Sequence, residues 1–338
     1  MKKLIMLICA VVTGVTMANA QQAVAVLTHS GTSKTFSGYT ALQEAYAEAV
    51  SGDLITLSSG SFGAVEVIEK AIKIRGAGME MDKEYGTGST AIVGDMTLDI
   101  ASSSSASHFT LEGVNAANIY YNHTQSHPQF SKCILKGVLR GSYSESGKSV
   151  YGTVEDATFY HCKITNSVAC GADCSMSFLN CYVHSPKAID SSSSNMTFSH
   201  CVLVGTSTST VSVGGCTLND CVAVGLADRS SLNWNDETSF NHCLLVYSSS
   251  PKPDESDNSY ISVSKMTEAF KTYNSTSYVS TENYELLEGY NSQYGLYSGS
   301  FPYSPRLAGP HIEQMEVAPR TTDAGMLNVK IKVTNSTE

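Results

Sequence analysis

The chain is short of charge: Lys, Arg, Asp and Glu make up 15% of its 338 residues, against about 25% in an average soluble domain. Few groups are therefore on hand for acid–base chemistry. The 21 basic residues form no cluster and are outnumbered by 31 acids, giving a formal net charge of −10. That balance argues against nucleic acid and anionic membrane surfaces as main partners. The acids are themselves dispersed, standing singly or in adjacent twos such as Glu155-Asp156 and Asp236-Glu237, which read as turn acids. Hard cations want several converging carboxylates, and none converge here. No Cys-x-x-Cys occurs, and no apolar run after residue 20 approaches the roughly 20 residues a spanning helix needs. No cofactor, no metal and no transmembrane segment are expected.

What is present begins with an address. Lys2 and Lys3 precede an apolar run from Leu4 to Val15, and Ala18-Asn19-Ala20 supplies the small residues of a cleavage site before Gln21. Residues 1–20 read as a secretory signal peptide. Their removal takes the net charge from −10 to −12. The expected destination is outside the cytoplasm: the periplasm, the outer cell surface or the medium.

The body carries a repeat. An apolar-x-x-Cys motif recurs from Phe130 to Cys133, Phe159 to Cys162, Phe178 to Cys181, Phe198 to Cys201, Leu218 to Cys221 and Phe240 to Cys243, with successive cysteines 29, 19, 20, 20 and 22 residues apart. Ala157, Met176, Met196, Cys216 and Thr238 two before the Phe or Leu, with apolar residues two after each Cys, give period-two strands in every repeat. The residue just before the cysteine is His161, Asn180, His200, Asp220 or His242, with Lys132 the exception. Asn, Asp and His are the non-glycine types that best tolerate positive φ. A one-residue left-handed turn between two strands accounts for the pattern, and coils stacked about 4.8 Å apart turn like positions into ladders. The fold class predicted is all-β, a right-handed parallel β-helix, with a Phe ladder and an unbridged Cys ladder inside. The Leu-x-x-Leu-x-Leu of a leucine-rich repeat is absent.

Val114 stands in the place of the ladder cysteine one coil upstream, and Val93-Gly94 and Ile74 are expected to continue the register. The β-helix is assigned to residues 53–247. Residues 21–52 form an amino-terminal cap, in which Thr40-Ala-Leu-Gln43 reads as a capping box and Leu42, Ala45, Tyr46 and Ala49 share one helical face. Residues 248–338 form a carboxy-terminal cap, with a short helix expected within Ser262 to Tyr273 and a terminal strand at Leu327 to Val333.

The stretch from Leu42 to Gly78, with Gly52-Asp53-Leu-Ile-Thr-Leu, Gly60-Ser-Phe62 and Ile72-Lys-Ile-Arg-Gly-Ala-Gly78, resembles the opening of the pectin-lyase-like β-helix superfamily. Tyr294-Gly-Leu-Tyr297 and Gly325-Met-Leu-Asn-Val-Lys-Ile-Lys-Val333 resemble the tail of exported Gram-negative β-helix proteins that mostly lack an assigned activity. The resemblance implies the fold and export. Superfamily polygalacturonases use clustered Asp residues, since inverting hydrolysis needs two carboxyls roughly 6.5 to 9.5 Å apart. Neither an Asp pair nor Gly-His-Gly occurs in this sequence.

The candidate site lies on the outward positions beside the cysteine ladder. Lys136, Lys163, Tyr182 and His184 fall on neighbouring coils, where a ring for stacking and donors for an acidic sugar would make a ligand-binding groove. Farther along, the same stripe turns to Val202, Val204, Val222, Val224, Leu244 and Val246. Strands apolar on both faces are covered on both faces, and residues 260–333 are the expected cover. The function expected is that of an exported, non-catalytic envelope or surface module presenting a flat face to polysaccharide or another envelope component. The alternative is a polysaccharide lyase acting on an acidic glycan, with Lys or His as base. Cys170 and Cys174 invite a pairing or a zinc site, but the spacing supports neither.

Overall fold

Between Gln129 and Val246 the chain repeats one path: a strand in a first sheet, one residue at positive φ, a strand in a second sheet, and a return. Gln129–Ser131, Ala157–Tyr160, Ser175–Leu179, Asn195–Ser199, Thr217–Asn219 and Ser239–Asn241 are successive parallel neighbours in the first sheet. Ile134–Arg140, Lys163–Cys170, Tyr182–His184, Val202–Gly205, Val222–Gly225 and Leu244–Val246 follow one another likewise in the second. The sheets hold 11 and 15 strands. The protein is mostly β, with large parallel sheets in an arrangement compatible with a parallel β-helix. The computed structural model describes residues 23–81, 88–101, 106–145, 148–171, 174–188, 195–205, 211–225, 232–246, 257–274, 280–290, 293–307, 309–317 and 329–336. The expected signal peptide lies outside the described residues.

Register aligns the repeat motif with itself. Leu111, Phe130, Phe159, Phe178, Phe198, Leu218 and Phe240 are consecutive cross-strand partners, and the rings of Phe130, Phe159, Phe178 and Phe198 stack with centroids 4.8, 4.6 and 4.8 Å apart. Offset stacking adds about 0.5 to 1.5 kcal/mol per pair to what burial gives. The six ladder cysteines are buried and unbridged. The amides of Cys162, Cys181 and Cys201 donate to the Sγ of the next coil's cysteine at 3.3, 3.4 and 3.4 Å. The thiols of Cys162, Cys181 and Cys201 in turn donate at 3.4 Å to the carbonyls of Phe130, Phe159 and Phe178. Complete burial pushes the thiols of Cys133, Cys181 and Cys221 well up, so they pack as small apolar groups.

The residue before each cysteine holds the left-handed turn: His161 (φ +51°), Asn180 (+47°), His200 (+51°), Asp220 (+52°) and His242 (+51°). Lys132 (φ +51°) does the same, although its type does not favour it. One coil upstream Gly113 (φ +67°) makes this turn before Val114, which is wholly buried. Farther back the register departs from expectation. Ile74 pairs with Leu111 and so belongs to the Phe column, and Val93, in a second-sheet strand, is 52% exposed. The coil from Ile74 to Leu111 spans 111 − 74 = 37 residues, so counting back by the repeat length lands on the wrong positions.

The amino end has more structure than the sequence suggests. Val24–His29 and Thr32–Ser37 form an antiparallel hairpin, and Val24–His29 also pairs antiparallel with Leu54–Leu57. The hairpin thus covers the edge of the first parallel strand, an edge that would otherwise invite pairing. The helix Ala41–Glu48 follows, with Leu42, Ala45, Tyr46 and the succeeding Ala49 buried as the sequence predicts. The capping box does not form. Thr40 makes no cap bond and its hydroxyl donates to Glu44 instead (2.7 Å), while Gln43 Nε2 donates to Ala64 O (2.8 Å).

At the other end, Val263–Glu268 is a short 3₁₀ helix. Val329–Ser336 is the terminal strand, and it pairs antiparallel with Gly309–Val317 in a two-stranded sheet of its own. Leu327 lies outside the described residues.

Candidate functional site

The outward stripe of the second sheet passes through two environments. Val202, Val204, Val222, Val224, Leu244 and Val246 are wholly buried in a second apolar core that lies outside the sheets. Met266, Phe270, Tyr284, Leu286, Tyr294, Leu296 and Tyr303 supply its other side. The cover foreseen from the aliphatic stripe is therefore present in the described residues between Met266 and Tyr303. The terminal strand pairs with Gly309–Val317 and not with the second sheet.

The cover continues as a strap along the corner formed by the left-handed turns. The Tyr294 ring stacks on His242 (4.7 Å), and Gly295 N–H donates to Asp220 O (2.8 Å). Asn180 Nδ2 donates to Leu296 O (3.0 Å) and Ser298 O (3.3 Å), and His200 Nδ1 lies 2.9 Å from Ser298 Oγ. His161 is held on both ring nitrogens, donating from Nε2 to Phe301 O (3.1 Å) and accepting Ser304 N–H at Nδ1 (3.4 Å). Leu307 ends the run against Gly113. The residues that turn the backbone thus also bind the strap, which runs back from the last coils toward the first. A polar residue at a tight corner reads from sequence as a turn former only, so this second role carried no signal.

The four residues expected to form a ligand face are not brought together on an open surface. Tyr182 is 0% exposed and its ring centroid lies 5.7 Å from that of Tyr284. The expectation that it offers a solvent-facing ring is corrected: the cover that buries the aliphatic stripe begins one coil earlier than the valines do. His184 is 6% exposed with Nδ1 3.0 Å from Asn166 O, and burial holds its pKa below the ordinary value against its backbone bonds. It is no surface donor. Lys163 retains 16% side-chain exposure and sits 3.8 Å from Glu80. Of the four, Lys136 alone is exposed, beside an irregularity in register between Leu135 and Gly137.

Away from the strap, another part of the second sheet stays open. Thr97, Tyr120 and Leu139 are cross-strand neighbours at half-buried outward positions, with exposed Val67 beside Thr97 on one side. Exposed Lys187 lies farther along, paired with Ala169. The long 29-residue spacing between Cys133 and Cys162 is taken up here by an antiparallel hairpin, Ser142–Glu145 with Lys148–Tyr151. At its base Arg140 lies over the Tyr151 ring, 4.9 Å from the centroid, and its Nε donates to Gly152 O (3.3 Å). On the adjoining corner His123 (φ +49°) places Nδ1 2.6 Å from Asp99 Oδ1, with the imidazole 53% exposed. Of the four acids read as turn acids, Asp156 has φ +51° and Asp236-Glu237 form a turn, whereas Glu155 ends the strand Thr153–Glu155.

Cys170 and Cys174 are buried and free. Among the described residues no group of three or more His, Cys, Asp and Glu side chains is placed to hold a metal ion, and no helix is long and apolar enough to cross a membrane. The chain matches no protein-family model, no curated protein and no solved structure.

Proposed function

We propose that this chain is an exported right-handed parallel β-helix of the pectin-lyase-like kind, and that it serves as a non-catalytic surface or envelope module which presents a flat face to glycan. The hairpin and helix before Asp53 close its amino end, and residues 263–307 close one side. The observation that carries the reading is the unequal treatment of the second sheet. One half of its outer face is covered by the chain itself, and the other half is left as a flat, half-buried strip with Tyr120 on it and Lys136 and Lys187 exposed nearby. Aromatic rings and long donors on a rigid sheet suit pyranose rings. Titrating the purified protein with neutral and acidic oligosaccharides tests it: saturable binding, weakened by Tyr120→Ala, is expected, and no binding to any member overturns it.

A second reading, a lyase on acidic glycan, is favoured by His123 and Asp99. A carboxylate on Nδ1 orients an imidazole for proton abstraction at its other nitrogen. In such an elimination the base takes the proton beside the sugar carboxylate, the C–O bond to the leaving sugar breaks, and a carbon–carbon double bond forms. Ultraviolet absorbance of the unsaturated product separates the readings, and a rate abolished by His123→Ala would favour the enzyme.

A further inference from the structure

Six of the described cysteines form the ladder, and three stand outside it: Cys170, Cys174 and Cys216. Two of these three meet at one corner. Cys170 ends the second-sheet strand Lys163–Cys170, and Cys174 directly precedes the first-sheet strand Ser175–Leu179, so the turn back between the sheets places both thiols in the core, 0% and 2% exposed. Their side chains are hydrogen-bonded to each other. Cys170 Sγ lies 3.5 Å from Cys174 O, and the Tyr121 hydroxyl, which donates to Ala169 O (2.7 Å), lies 3.8 Å from Cys174 Sγ. The backbone beside Cys170 is clamped, since Arg140 packs so closely on Gly171 that a Cβ there would lie 2.2 Å from Nη1. The ladder thiols differ: they stand on adjacent parallel strands with their side chains alongside one another, which is poor geometry for a bridge. Cys170 and Cys174 instead meet across one turn, and they are chemically unequal. The bond to Cys174, with burial, raises Cys170, while the same bond brings Cys174 down to about 6 against its own burial, helped by the amides of Val154 and Gly171. A thiolate beside a protonated thiol is the pairing that attacks a disulfide and then resolves the mixed product.

We propose that Cys170 and Cys174 are a modification site, a dithiol that closes to an intramolecular disulfide as the chain folds in the presence of a disulfide oxidant, while the ladder stays reduced. The Cys174 thiolate attacks one sulfur of the oxidant and expels its other half as a thiolate. Cys170 then gives up its proton, and its sulfur attacks Cys174 Sγ and expels the second half. The protein loses two protons and two electrons, and the oxidant leaves as two thiols. The site is independent of glycan binding; the export reading supplies the oxidising compartment, and glutathione disulfide stands in for it in the test. The full chain is refolded from denaturant in glutathione buffers of graded potential, quenched with acid, alkylated and digested with trypsin, which releases residues 164–187 with Cys170, Cys174 and Cys181 together. In excess glutathione disulfide this peptide is expected two hydrogens lighter, with Cys181 alone alkylated, and the bridged form should outnumber the free pair by at least about tenfold. Cys170→Ser should trap glutathione on Cys174, whereas Cys174→Ser should trap far less on Cys170. Wild-type chains that refold with all three cysteines alkylated in every buffer, or that bridge Cys181 or Cys216 instead, overturn the proposal and leave the glycan reading untouched. Equal trapping in the two variants overturns the role of Cys174 as the attacking thiol.

Discussion

Ile134, Lys163, Tyr182, Val202, Val222 and Leu244 occupy the same outward position on successive strands, yet Lys163 faces Glu80, Ile134 is only half-buried at the edge of the outer core, and the later four lie wholly inside it. The backbone does not distinguish them. The difference lies in what the carboxy-terminal segment reaches, and it shows that in a stacked-strand protein the inner ladders define the scaffold while an outer cover decides where a usable surface remains. Lys136 and Tyr182 illustrate the two fates, one exposed and the other with 0% exposure.

The comparison breaks most completely if the cover is taken away. A chain ending at residue 246 exposes six stacked aliphatic side chains and the Tyr182 ring, a patch larger than soluble monomers usually tolerate. It is expected to aggregate or to bind an apolar dye strongly, measured by light scattering and dye fluorescence. Within the intact protein, Phe270→Ala should cost about 3 to 5 kcal/mol, because the ring is 1% exposed and the site cannot collapse fully; denaturant unfolding measures it. Cys201→Ser places a hydroxyl in the inner ladder and should cost about 1 to 3 kcal/mol by the same measurement. His184 separates the halves by pH. Its folded pKa is depressed, so its contribution is present above the unfolded value of about 6.5 and is lost as pH falls below it, by at most about 1.4 kcal/mol per pH unit. Melting curves from pH 7 to 5 should show that loss, reduced in His184→Gln. Lys136→Ala, on the open half, should stay within about 0.5 kcal/mol of wild type.

Much of the scaffold was legible because ladder positions repeat one identity. Phe, Cys and a turn-forming polar residue recur at one spacing, and local preference and inward packing agree at each. The long coil before Leu111 was illegible for the opposite reason, since insertions shift the count and Val93 lands outside. The amino-terminal hairpin gave no signal because its strand Thr32–Ser37 is polar and almost wholly exposed, so no apolar alternation marks it. At the site, the valines announced that something covers them, as aliphatic side chains on two faces do. Tyr182 and His184 did not, because tyrosine and histidine suit water and burial alike and only the position of Tyr284 tells which. Gln43 is a smaller case: its side chain fits a capping box in isolation, but Ala64 O offers it a tertiary bond.

Residues 293–307 lie along the corner of left-handed turns as an ordered strap. Hydrogen exchange on the intact protein tests it directly through peptides spanning this segment. Gly295 N–H is bonded to Asp220 O and Tyr303 N–H to Leu296 O, at 2.8 and 2.7 Å. Exchange slowed far below the unstructured rate is expected there, with protection falling when Asn180→Ala removes the two bonds to Leu296 and Ser298. Exchange at the rate of an unfolded peptide across 293–307, alongside full protection of the Phe and Cys ladders, would contradict it.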